Sequence, residues 1–243
     1  MSRAWMRPPK SVPKIFDTCR TTDGWRVGPL LLTMPSTVVH LAIGGLVAVA
    51  LLRDEFGWWS LGVVLAFAAF PDLDTFVGLF VPGAHRSLFH SLFVPLFLTG
   101  VLWLDWTRER PKLPRRFGPN AFRVAAVGVV ALALGGIGPD LVTNGVNVLY
   151  PVQDNFVKVS GELFLSNQRG VVQTFVELSK PDAGGAVVGS TETLHYSTGV
   201  DPNPGAEPEN VERVFPVIGS GMQLLLVVTS GLLIAGRFVQ AKR

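Results

Sequence analysis

The chain has 243 residues, of which 48% are hydrophobic and 16% charged, and its mean hydropathy is +0.39. A soluble domain usually carries about 25% charged residues, so an ordinary soluble fold is excluded. The net charge of +3 belongs to the leading segment: without residues 1–33 the chain holds 15 basic and 16 acidic residues, and nucleic acid is excluded as a partner. The single cysteine, Cys19, excludes disulfides, thiolate zinc sites and a cysteine nucleophile from the rest.

In chain order, residues 1–33 carry six basic side chains and two acids and read as a non-native or disordered leader. Met34 in MPSTVVHLAIGG is the expected start. A bilayer core of about 30 Å needs roughly 20 mostly apolar residues in a helix. Five stretches qualify: Leu31 or Met34 to Leu52, Trp58 to Phe80, Ser87 to Leu104, Arg123 to about Tyr150 with room for a surface turn, and Val214 to Gly236. The fold class expected is an all-α polytopic membrane protein of about five transmembrane helices. Its parts are a four-helix core over 34–151, an extracytoplasmic insertion over 152–213, and a fifth helix with a basic cytoplasmic tail over 214–243. Trp58 and Trp59 read as an interfacial belt.

Lys/Arg bias sets the orientation. Arg108, Arg110, Lys112, Arg115, Arg116 and Arg123 place the 105–123 connection in the cytoplasm, and so do Arg237, Lys242 and Arg243 for the tail. The 152–213 segment, with four basic and nine acidic residues, faces outward. Within it, Phe156-Val-Lys-Val, Leu163-Phe-Leu-Ser and Val171 to Leu178 are strand-like, with a turn at Asn167–Gly170. They predict one small antiparallel sheet. Pro181–Gly185 and Thr198–Asn210 read as loops.

Ionisable groups inside spans are costly and need a reason. His40 lies near the start of helix one, Asp72 and Asp74 toward the end of helix two, and His85, Arg86 and His90 at the start of helix three. Asp140, Thr143, Asn144 and Asn147 lie near the end of helix four. Consecutive spans alternate in direction, so all four groups meet at one membrane level, here the outer one. Asp72 and Asp74 diverge on a regular helix, but Pro71 disturbs that helix and lets both aim inward. Pro82–Arg86 folds His85 back over the third helix. Asp140, Asn144 and Asn147 make one polar stripe.

Imidazoles and carboxylates together suit zinc, manganese or iron and suit calcium poorly. About three protein ligands and an open position make a hydrolytic centre, with a further carboxylate as base and Arg86 for an anionic group. Plainer roles compete. His40 can be a satisfied interfacial histidine, Asp72 and Arg86 a structural ion pair, Asn144 and Asn147 interhelical hydrogen-bonding groups, and His195 an ordinary surface residue.

The motifs resemble those of the membrane-bound metal-dependent hydrolases, also described as LexA-binding inner-membrane proteins. The family pattern is an early histidine, Pro-Asp-x-Asp, His-Arg-Gly-x-x-His-Ser, and a late Asp-x-x-(Thr/Asn)-x-x-Gly before a proline. This chain has His40, Pro71-Asp-Leu-Asp74, His85-Arg-Ser-Leu-Phe-His90-Ser91, and Asp140-Leu-Val-Thr-Asn-Gly145 before Pro151, over about residues 34–152. Ser87 and Phe89 depart from the pattern, Gly145 comes one residue early, and Gly136 stands where members often carry a histidine. The outer loops, low in cysteine and rich in acids, resemble those of a haloarchaeal membrane protein.

The resemblance implies a metal-dependent hydrolase in the plasma membrane. Its metal ligands would come from His40, Asp72, Asp74, His85, His90 and Asp140, with Asp74, Asp140 and Arg86 in catalytic roles. Zinc or manganese is the expected ion, and a phosphoester or lipid-linked molecule among the membrane lipids the expected substrate. A transporter is the second reading, opposed by the apolar runs Leu46–Leu52, Val63–Phe70 and Leu96–Leu104. A non-catalytic membrane scaffold is the third.

Overall fold

The computed structural model describes residues 36–159, 161, 163–168, 170–173, 187–202 and 212–241. The leader expected at 1–33 and the loop at 181–185 lie outside these, as do residues 203–210 of the later loop.

The described residues form helices α1 (Thr37–Leu51), α2 (Trp58–Gly78), α3 (Phe93–Trp106), α4 (Lys112–Phe117), α5 (Ala121–Thr143) and α6 (Gly221–Ala241). Four short strands, β1 (Phe156–Val157), β2 (Leu163–Ser166), β3 (Gly170–Gln173) and β4 (Val187–Gly189), lie between α5 and α6. Three helices, α2, α5 and α6, are long and apolar enough to cross a membrane. The apolar helices α1 and α3 have 15 and 14 residues and at 1.5 Å per residue reach only about 22 Å. Of the about five spans expected, three are helices of spanning length among the described residues, and two are shorter apolar helices.

The third helix also begins later than Ser87. Gly83 and Arg86 have φ of +76° and +63°, a left-handed backbone that a right-handed helix cannot include. Residues 79–92 therefore run as turns, and His90 lies before α3 rather than on it. Ser91 Oγ accepts from the Phe93 amide at 3.3 Å, where α3 starts. At the end of α5, the amides of Asn144 and Gly145 both donate to the Asp140 carbonyl, at 3.1 and 2.8 Å, and Gly145 turns left-handed with φ +93°. The helix ends there, so Asn147 leaves the expected polar stripe.

α1 packs on α2, α5 and α6, and α5 also packs on α2 and α3. Small residues allow the close approach: a Cβ on Gly44 of α1 would lie 2.6 Å from Ala68 Cβ of α2. The core away from the polar end is Ala48, Leu52, Phe56, Leu61, Val64 and Val127, with Ile234 and Phe238 of α6 against it. In a bilayer such side chains leave lipid rather than water, so close van der Waals packing holds this core together. Ser230 of α6 donates to the Ala42 carbonyl at 2.8 Å.

One sheet was expected between α5 and α6; two two-stranded sheets are found among the described residues. β2 and β3 form the expected hairpin, whereas β1 pairs antiparallel with β4, far along the chain. The segment is stitched to the end of α5: Val146 and Val157 exchange two backbone hydrogen bonds, and the Val159 amide donates to Leu141. Asp154 then receives Thr191 through its amide (3.0 Å) and hydroxyl (2.6 Å), and the Asn147 side chain at 2.6 Å.

Candidate metal centre

The start of α1, the end of α2, the turns at 79–92 and the end of α5 meet, as alternation of direction predicts. His40, Asp74, Arg86, His90 and Asp140 are each 3% exposed or less, while Asp72 and His85 reach the surface of a cavity of about 330 Å³. Arg86 and Asp140 also line it, and Leu73, Phe76, Val200 and Phe215 supply apolar walls.

The orientation of His40 follows from a proline. In a regular helix the Gly135 carbonyl would accept from the amide four residues on, but residue 139 is proline and has none. The helix widens into a π turn over Leu132–Ile137, a distortion common at functional sites. His40 Nδ1 takes the vacant acceptor, donating to Gly135 O at 2.6 Å. The Nε2 lone pair is thereby turned toward carboxylates, 3.6 Å from Asp72 Oδ1 and 3.5 Å from Asp140 Oδ2. Two ligands of one zinc ion, each about 2.1 Å from it in tetrahedral geometry, lie about 3.4 Å apart. His40, Asp72 and Asp140 offer one atom each, all within 4.8 Å of one another. These three fit a divalent cation by donor type and by spacing.

Asp74 has a different place from Asp72. The four-residue 3-10 stretch Phe70–Leu73 around Pro71 tightens the helix, changes its register and sends the two carboxylates to separate partners. Asp72 Oδ2 accepts from Thr37 of α1. Asp74 is fully buried and accepts from His85 Nδ1 at 3.0 Å, His90 Nδ1 at 2.8 Å and the Arg86 amide at 3.0 Å. A carboxylate behind an imidazole fixes the tautomer and leaves the far nitrogen free to accept. His90 Nε2 lies 2.9 Å from Asp140 Oδ2. Burial opposes protonation of His90, but Asp74 and Asp140 outweigh it and raise the ring to about 10. The two carboxylates thus hold the His90 ring between them as their cation. For His85 burial prevails over the pull of Asp74 and lowers the pKa below the ordinary histidine value. Its Nδ1 also contacts Thr75 Oγ1 at 3.0 Å.

Arg86 ties the site together. Its left-handed backbone is held at both ends, the amide by Asp74 and the carbonyl by the Asn147 amide at 2.9 Å. Its guanidinium pairs with Asp140 Oδ1 at 2.8 Å and donates to the Asn144 side-chain oxygen at 3.2 Å. The alternative pairing of Asp72 with Arg86 is not formed; Arg86 pairs with Asp140 instead. Tyr196 covers the guanidinium, 4.6 Å from the ring centre, and its hydroxyl donates to the Asn144 and Gly145 carbonyls at 2.9 and 3.2 Å. His195 instead contacts the Thr191 carbonyl at 3.2 Å.

Tyr196 and the Gly135 carbonyl were not anticipated. Pro139, four residues after Gly135, was the available signal for the carbonyl; Tyr196 lies too far along the chain to have one. No side chain fits at Gly136, where a Cβ would lie 2.7 Å from Pro71 Cγ and 2.8 Å from the Ala68 carbonyl. The resemblance implied a histidine there; this chain uses the position for close contact between α5 and α2.

A sequence model of the YdjM inner membrane protein family matches residues 34–196, taking in α1 to α5, the strands and Tyr196. No curated protein and no solved structure matches the chain.

Proposed function

The chain belongs to the YdjM inner membrane protein family and is a multi-pass inner-membrane protein, and on that premise we propose that it is a metal-dependent hydrolase acting on an anionic ester at the membrane–water boundary. The observation that carries the reading is the convergence of His40, Asp72 and Asp140, whose two carboxylates line a cavity with a polar floor and apolar walls. One imidazole and two carboxylates suit zinc or manganese. A cation held there supplies Lewis acidity toward an ester oxygen.

The chain's own groups divide the remaining work. Asp74 holds His85 by Nδ1 and leaves Nε2 of the ring at the cavity, placed to accept a proton from an attacking water. Arg86 fixes Asp140 by its pair at 2.8 Å and keeps a positive charge at the cavity wall, which favours a phosphoester or another anionic group. Leu73, Phe76 and Phe215 on the walls suit the apolar part of a lipid-linked substrate. The charge bias of the connections puts this end of the bundle on the outer face.

One observation favours a structural reading. The buried pair of Arg86 and Asp140 joins the turns to α5, as a non-catalytic ionic lock would. Metal analysis separates the two. Purified in detergent, the parent is expected to hold about one equivalent of zinc or manganese, and His40→Ala and Asp72→Ala to lose it. A metal-free parent, or full content in both variants, overturns the proposal. A panel of phosphomonoesters, phosphodiesters and lipid phosphates then tests turnover by the loaded protein.

A further inference from the structure

A second site lies among α3, the connection after it and α4. Asp105, near the end of α3, accepts from the amides of Lys112 and Leu113 at 3.0 and 2.8 Å. These bonds satisfy two amides at the start of α4 and seat that helix against α3. The seat opens a groove of about 450 Å³, within the range of about 300–1,000 Å³ usual for small-molecule sites. Its rim carries Arg108, Lys112 and Arg116, and its wall is Val101, Leu102, Leu104, Leu113 and Phe117. Asp105 is the one carboxylate among them. Its oxygens are committed to the two amides and it lies 3.6 Å from Arg108 Nε, so three cations face one spent acid.

Leu113 and Phe117 also wall a neighbouring apolar groove of about 540 Å³ that runs to Trp59 and Val63. The apolar surface thus continues past the charged rim along the side of the bundle. We infer that Arg108, Lys112 and Arg116 bind the phosphate headgroup of an anionic phospholipid, with its acyl chains on Leu102, Leu113 and Phe117. Charge complementarity and the apolar wall in an established inner-membrane protein select that occupant. A free phosphate would use the rim and leave the wall idle, and a zwitterionic lipid would gain nothing from three cations. Basic pockets at helix ends are a recurrent form of lipid recognition. The site is separate from the His and Asp cluster.

The test is native mass spectrometry of the detergent-purified protein titrated with phosphatidylglycerol or phosphatidylcholine. A basic side chain at an anionic lipid is worth about five-fold in binding. With three such side chains the parent should retain phosphatidylglycerol on the order of a hundred-fold better than phosphatidylcholine. The triple variant Arg108→Gln, Lys112→Gln, Arg116→Gln should lose that preference. The control Arg110→Gln, Arg115→Gln removes charge nearby but outside the groove and should keep it. If the triple variant does not purify, Lys112→Gln alone should weaken retention about five-fold. No preference in the parent overturns the site, as does an equal loss in the control, which would mean diffuse attraction to the basic surface. Metal content stays at the parental value throughout if this lipid site alone is altered.

Discussion

His40 donates from Nδ1 to the Gly135 carbonyl at 2.6 Å, the acceptor that Pro139 leaves without its helical amide. A missing hydrogen bond in α5 is thereby what turns an imidazole of α1 toward Asp72 and Asp140. Pro139→Ala restores the amide and offers Gly135 a rival donor. Metal affinity should fall roughly ten-fold, as for other outer-sphere changes, with the melting temperature unchanged or raised. A chelator titration reads the affinity, and an unaltered value would show that the Gly135 contact does not orient the ring.

Asp74 touches no part of the cavity, yet three groups depend on it. Asp74→Ala leaves the Arg86 amide and two imidazoles without their acceptor. A buried donor stripped of its partner costs about 1–3 kcal/mol, so the melting temperature should drop, and metal affinity should fall about 10–100-fold. Asp74→Asn, which keeps the shape, should recover most of the stability and little of the affinity. Equal recovery of both would mean that Asp74 is packing alone.

Tyr196 separates ring from hydroxyl. Tyr196→Phe keeps the stack on Arg86 and loses the bonds to Asn144 and Gly145, at a cost of about 1 kcal/mol. Tyr196→Ala also removes a buried ring, which costs about 3 kcal/mol or more, and should free the Arg86 guanidinium. Thermal unfolding in detergent orders the two. Metal content should survive in the Phe variant; its loss there would assign the hydroxyl a part in the centre itself.

Asp154 makes the insertion sensitive to acid. Burial raises its carboxyl, but hydrogen bonds from the Thr191 hydroxyl and amide and from Asn147 outweigh it and hold the group below the ordinary aspartate range. A depressed carboxyl stabilises the fold fully above its unfolded value, about 3.9, and loses that contribution as pH falls through the folded value. Amide protection at Thr191 should hold steady from about pH 7 to pH 5 and decline below about pH 4. Asp154→Asn should flatten that profile in hydrogen exchange, and a profile like the parent's would place the acid response elsewhere.

The meeting of four polar groups was legible because it needs only the direction of successive helices. Their separate parts were not. Asp72 and Asp74 read as equivalent in Pro71-Asp-Leu-Asp74, but one faces α1 and the other the turns, since the chain narrows to a four-residue 3-10 stretch around Pro71. His85 read as preceding the third helix, but His90 read as part of it because Ser87 to Leu104 is continuously apolar enough. The left-handed backbone at Arg86 is fixed by Asp74 and Asn147, contacts that no local pattern encodes. Tyr196 belongs to the same class, held to Arg86 by folding across the insertion.

The seat of Gly136 against Pro71 and Ala68 also constrains descent. An imidazole at that position and the present contact between α5 and α2 exclude one another, so the two arrangements cannot be exchanged by one substitution. Because the contact at residue 68 is with the main-chain carbonyl, no substitution there makes room; a histidine at 136 requires the backbones of α5 and α2 to stand further apart. Gly136→His in this chain should therefore fail to fold.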